Sequence, residues 1–264
     1  MINKILQWFM SEENFGRGAL DTVEHWTAST FDRHENVVGA LPPATWIEKS
    51  PINGFTSYPI RNQMTGDTCV CYTLAKQISV ALDNNVGVYR EMSPHSVYPF
   101  VFVQGGGCNS LTASQYVLNN GITLESLFTT DGLTEPQVES STGYLADAKA
   151  IAPIYKPKNI IQCATDFETI ASILQYYKSL GQKKVVAITV IGANNGTWLF
   201  NMPQPPIGTL PLWYHRVTVT DFGLINGQKY LSIDNSWGNS IGNNGQQFLS
   251  ESYAPFIYGG LYLV

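Results

Sequence analysis

Four cysteines and four histidines hold most of the reactive chemistry in this chain: Cys69, Cys71, Cys108 and Cys163, and His25, His34, His95 and His215. Cys69 stands at the start of a long stretch with helical periodicity. A helix N-terminus carries free N–H groups and a partial positive charge, and both favour thiolate over thiol. Cys71, two residues further in, points elsewhere, about 200° round the helix. A thiolate nucleophile needs a base beside it and a third group that orients the base. His215 opens an apolar strand after Trp213–Tyr214 and is the candidate base. Asn235 opens Asn-Ser-Trp-Gly, and its amide can hold an imidazole N–H and so fix the tautomer. Trp237 could then shield that bond from water. Together these residues spell acyl transfer through a thioester. Singly they are ordinary: free cysteine is usually a small buried hydrophobe, and Asn, Ser and Gly are common turn residues.

Those groups need elements to carry them. The spacing of Val70, Leu74, Ile78 and Ala81 predicts a helix over 68–82, with Asp67 or Thr68 as its cap. Further helices are expected over 93–103, with Pro94 in the first turn, over 112–118 and over 166–180, with a short one over 20–26. The β-branched run 184–191 predicts a buried strand, and 215–222 alternates as another. Asn226–Gly227 signals a hairpin returning through 229–233. Strands over 246–249 and 260–264 complete the pattern. Helices come first and strands second, so the fold class is α+β with segregated lobes.

The chain has 264 residues, enough for one large domain or two lobes sharing an interface. Charged residues make up only 13%, about half of the usual 25% or so, and the net charge is −5. No run of Lys or Arg offers a footprint for nucleic acid. No apolar run approaches the roughly 18 residues of a membrane span. The first ten residues lack the apolar length and small-residue site of a secretory signal, so a cytoplasmic or particle-associated setting is expected rather than classical secretion. The cysteines form no C-x-x-C pair, and neither metal nor cofactor is called for.

Residues 61–75, RNQMTGDTCVCYTLA, and 235–245, NSWGNSIGNNG, together resemble the nucleophile and asparagine blocks of the papain/cathepsin (C1) family of cysteine peptidases. The order agrees with the likeness, and His215 comes 146 residues after Cys69, within the family window of roughly 130–150, while Asn235, at 166, lies somewhat beyond it. Weaker similarities lie in Leu41-Pro-Pro-Ala-Thr-Trp46, Gly107-Cys108-Asn109 and Asn120-Gly121-Ile122. The resemblance implies a papain-like two-lobe fold, a helical N-terminal lobe and an antiparallel β-barrel-like C-terminal lobe with the cleft between them. It spans 41–264, about 41–130 helical and about 131–264 β. It implies Cys69 as nucleophile, His215 as base, Asn235 as orienter and Gln63, six residues before Cys69, as an oxyanion donor. It places Asn109, Ser110, Leu111 and Trp237 against a peptide or protein substrate.

The chain departs from the pattern in several places. Val70 replaces the usual Trp after the nucleophile, and Ile241 a second Trp. Gly66 replaces a cysteine whose disulfide partner aligns with Cys108, which leaves Cys108 unpaired. Ser110–Leu111 replaces two glycines that offer backbone to substrate, and Leu111 narrows the expected cleft. Arg216 follows His215 where a small residue is usual. Residues 1–40 form an extension: a short pro-segment, an arm that binds a protein partner, or an extra layer. The expected function is a cysteine-type peptidase. The alternatives are a non-catalytic papain-fold component of a larger particle such as a virion, or a cell-wall peptide hydrolase.

Overall fold

The computed structural model describes residues 18–21, 26, 29–208 and 212–264. A seven-stranded sheet organises the C-terminal half: β1 (Asp32–Arg33), β2 (Ile160–Cys163), β3 (Val186–Ala193), β4 (Leu212–Ile225), β5 (Gln228–Asp234), β6 (Gln246–Ser250) and β7 (Ile257–Leu263). The strand order is β1-β2-β7-β3-β4-β5-β6. Every pairing is antiparallel except β1 on β2. The β4–β5 hairpin turns on Asn226 and Gly227, at φ 53° and 75°. Two left-handed residues in a two-residue loop match the twist of the strands, as the Asn-Gly pair predicts.

Three longer helices are α1 (Cys69–Val86), α2 (Ser110–Asn120) and α3 (Phe167–Ser179). Asp166 caps α3 by accepting from Thr169 N–H, as expected. Two expectations shift. The helix over 93–103 is two short 3₁₀ turns, Pro94–Ser96 and Tyr98–Phe100. Proline recurs at Pro94 and Pro99, and each removes a donor that a continuous helix would need. The helix over 20–26 lies mostly outside the described residues.

Two large apolar cores result among the described residues, beside a small cluster of Phe55, Ile225, Tyr230 and Phe248. One joins α3 to the sheet through residues such as Ile170, Ile188, Val217 and Leu231, and Trp46 packs against it. The other joins α1 and α2 through Leu74, Ile78, Ala113 and Val117, closed from the sheet side by Ile160, Leu261 and Leu263. Polar bonds stitch the lobes along α1: Lys76 Nζ to Asp234 at 2.9 Å and Gln77 Nε2 to Leu261 O at 2.8 Å. Residues before 41 enter both halves of the structure. Asp32–Arg33 extends the sheet, and Ala19 and Trp26 are buried in the helical core. Among the described residues, no helix is long and apolar enough to cross a membrane, and no cluster of His, Cys, Asp or Glu could hold a metal.

Candidate active site

Cys69 is the first residue of α1, as its sequence position predicts. Thr68 occupies the N-cap position but makes no side-chain capping bond, so the leading N–H groups of the helix are not consumed by a cap there. The Cys69 Sγ accepts from the backbone N–H of Arg216 at 3.4 Å, which seats the thiol against β4 next to His215. Thr73 Oγ1 lies 2.9 Å from Cys69 O and 3.2 Å from Arg216 O, so one hydroxyl bridges the first turn of α1 to that strand. Cys71 faces the other way, with its sulfur 4.0 Å from that of Cys108. All four cysteines are free and buried.

On β4, His215 Nε2 lies 2.8 Å from Asn235 Oδ1. The tautomer follows from a chain of bonds that ends on the backbone. Gln247 Nε2 donates to the carbonyls of Trp198 and Phe200 at 2.7 and 2.8 Å, which turns its oxygen towards Asn235. Asn235 Nδ2 donates to that oxygen at 2.8 Å, so Asn235 presents only its own oxygen to the imidazole. His215 Nε2 therefore carries the proton, and Nδ1 is the basic nitrogen of the neutral ring. Trp237 stacks on the imidazole, with centroids 4.5 Å apart and planes at 27°. Trp198 and Trp213 close the cage edge-on. The Asn235 loop needs its glycines. Gly245 has φ +87°, and a Cβ there would come within 2.4 Å of Ile60.

Gln63 is buried beside this group. Its side-chain oxygen accepts from Ser236 Oγ, its Nε2 donates to Gly66 O at 2.7 Å, and its backbone N–H donates to Ser236 O at 2.8 Å. Ser236, next to Asn235, thus ties Gln63 to the histidine side of the site. Asn109 is the N-cap of α2, accepting from the N–H groups of Leu111 and Thr112. Leu111 is half-buried against the helical core. Ser110 faces a different partner, described below. Two other histidines have structural bonds. His95 contacts Thr129 O and Ser140 O and stacks on Phe128, and His34 contacts Tyr262 Oη. His25 lies outside the described residues.

Part of the 1–40 extension packs beside this site. Residues 18–20 run parallel to Cys108: its N–H donates to Gly18 O at 2.8 Å, and its carbonyl accepts from Leu20 N–H at 3.1 Å. Gly18 also bridges Tyr214, the neighbour of His215. The approach to the loop before Cys69 is so close that a Cβ on Gly18 would sit 1.7 Å from Asp67 O. Asp21 then turns inward. Its Oδ1 accepts from Ser110 N–H at 2.7 Å, and its Oδ2 accepts from Ser110 Oγ at 2.5 Å and Thr189 Oγ1 at 2.7 Å. Arg216 Nη1 is 3.9 Å away. Cys69 has no exposed surface. Burial pushes its thiol well above the ordinary range, against the downward pull of the Arg216 N–H; the Asp21 carboxylate adds to the rise. Burial thus favours the neutral thiol over the thiolate in this arrangement.

No protein-family model matches the chain, and no curated protein sequence does either. Solved structures do. Xylellain, a cysteine protease from Xylella fastidiosa, superposes with a TM-score of 0.71 at 16% identity, over 96% of this chain and 97% of that one. Digestive procathepsin L 3 of Tenebrio molitor larval midgut gives 0.66 at 14%, over 99% and 79%. The Carica candamarcensis cysteine protease CMS1MS2, in complex with E-64, gives 0.58 at 19%, over 78% and 92%. At such identities the likeness speaks for architecture, and the conclusion is that this chain has the two-lobed fold of the papain-like cysteine proteases.

Proposed function

We propose that the chain is a cysteine-type peptidase, with Cys69 as nucleophile, His215 as general base and acid, Asn235 as the orienting group and Gln63 as an oxyanion donor. The observation that carries this reading is the His215–Asn235 bond of 2.8 Å beside a cysteine at a helix N-terminus. Sulfur attacks the peptide carbonyl carbon as its proton passes to His215 Nδ1. The oxyanion is held by the Cys69 N–H and the Gln63 amide. Collapse breaks the C–N bond, and His215 returns the proton to the leaving amine. Water then hydrolyses the thioester, with His215 first taking its proton and then giving one back to sulfur.

Residues 18–21 act as the working part of a short pro-segment in the 1–40 extension. They pack against Cys108 and the loop before Cys69, and their Asp21 carboxylate is one of the groups that oppose ionisation of the buried thiol. The full burial of Cys69 also favours a second reading, a non-catalytic binding component on the same fold. Labelling with an epoxide-type thiol-peptidase probe and peptide mapping separates the two. The peptidase reading expects modification of Cys69 that rises in Gly18→Ala, whose new methyl group cannot fit against Asp67, and disappears in His215→Ala. Absence of labelling in both the wild type and Gly18→Ala would sink it in favour of the binding component.

A further inference from the structure

Arg216 is a buried cation at the edge of the nucleophile site. Its backbone N–H touches Cys69 Sγ, and its side chain runs from there into the protein, 2% exposed. Nη1 donates to Thr189 Oγ1 at 2.8 Å and to Gly259 O at 2.7 Å. The guanidinium lies 5.0 Å from the ring of Trp26. A buried guanidinium needs a counter-charge. Among the described residues it comes from Asp21, partly by relay: the Thr189 hydroxyl accepts from Arg216 and donates to Asp21. The Ser110 N–H and hydroxyl, at the start of the 11-residue helix α2, complete the cradle. Both groups that cover the cation, Asp21 and Trp26, belong to the N-terminal segment. The cradle itself belongs to the two lobes.

We infer that Ser110, Thr189 and Arg216 form a pocket beside the scissile bond that takes an acidic side chain of a peptide, and that Asp21 is its internal occupant. This rests on the peptidase reading only in supposing that substrate lies where residues 18–20 now lie. When that segment lifts, it strips the counter-ion from Arg216 and exposes a site already shaped for a carboxylate. A substrate Asp or Glu restores every bond that Asp21 made. A neutral side chain leaves a buried cation and the Ser110 and Thr189 donors without their acceptor, which is the strong form of discrimination.

The test uses full-length Gly18→Ala, whose added methyl group has no room against Asp67 and should displace the segment while leaving Ser110, Thr189 and Arg216 in place. Fluorogenic peptides varying Asp, Glu, Asn, Gln and Leu at each position next to the cleaved bond should show one position where the acids exceed their amides by about tenfold or more in kcat/KM. The preference should shrink to about threefold or less in Thr189→Val, and in Arg216→Gln if that variant folds. A second arm needs no catalysis. A fluorescent peptide of residues 16–30 should bind Gly18→Ala about tenfold more tightly with Asp than with Asn at position 21. Cleavage without any acidic preference, or equal binding of the two peptides, would overturn the pocket and reduce Asp21–Arg216 to a pair that only holds the fold. Acid-dependent binding without cleavage would keep the pocket and sink the peptidase reading.

Discussion

Two buried polar assemblies flank Cys69, and they are built differently. On one side, His215, Asn235 and Gln247 form a neutral chain of hydrogen bonds ending on the carbonyls of Trp198 and Phe200. Its members lie on or next to neighbouring strands of one sheet, under a cage of tryptophans. On the other side, Asp21, Ser110, Thr189 and Arg216 surround a charge pair gathered from four distant segments. The first has no member outside the lobes, so it would stay if the N-terminal segment left. The second loses its anion if the N-terminal segment leaves. A neutral network on a rigid sheet suits a tautomer that must not change. A charge pair across a removable segment suits a contact that must be able to open, because the same cation can accept another carboxylate.

The contrast can be broken at measurable points. Cys69→Ala should lower peptide turnover by about 10⁴-fold or more while leaving the melting temperature nearly unchanged; retained turnover would remove Cys69 from the chemistry. Asn235→Ala should cost about 10²-fold in kcat, because His215 loses the acceptor that sets its tautomer. It should also destabilise the fold, by leaving the Gln247 oxygen without its donor. A full-rate variant would show that the cage alone orients the ring. Asp21→Asn should lower stability in urea titration by about 2 kcal/mol, since three donors and a buried cation lose a carboxylate. The same variant should speed Cys69 alkylation, which no change in the His215 network would do. An unchanged midpoint would mean that Asp21 contributes nothing to closure.

The smallest expected effect is the sharpest test of the closed state. Burial above all, with smaller help from neighbours including Asp67 and Asp21, holds the Cys69 proton on, so the thiolate fraction of the wild type stays low at neutral pH and grows only above the ordinary thiol range. Iodoacetamide labelling of Cys69 should therefore be slow at pH 7 and climb in alkali. In Gly18→Ala the profile should shift to lower pH, with about tenfold faster labelling at pH 7. Identical profiles would mean that residues 18–21 do not control the thiol.

Much of the site was legible in the chain because its parts are marked by local rules. A cysteine before a helical period, a strand entered through Trp213–Tyr214–His215, an Asn-Gly hairpin and an Asn-Ser-Trp-Gly turn each follow from near neighbours. The helix expected over 93–103 went astray because repeated prolines outweigh an apolar pattern in setting backbone bonds. The extension was harder to read, since residues 18–37 carry almost no periodicity and their partners are remote. Asp21 meets Thr189 across 168 positions, and His34 meets Tyr262 across 228.

By itself, then, the sequence determined the α+β order and the helix that begins on Cys69, because propensity and periodicity act over a few residues; the pairing of His215 with Asn235 is what the family resemblance implies. Only the tertiary structure decided which nitrogen of His215 is basic, that Gly18 rather than a side chain lies against Asp67, and that Arg216 faces Asp21. Those outcomes depend on burial and on hydrogen bonds between segments that meet only after the two lobes have closed.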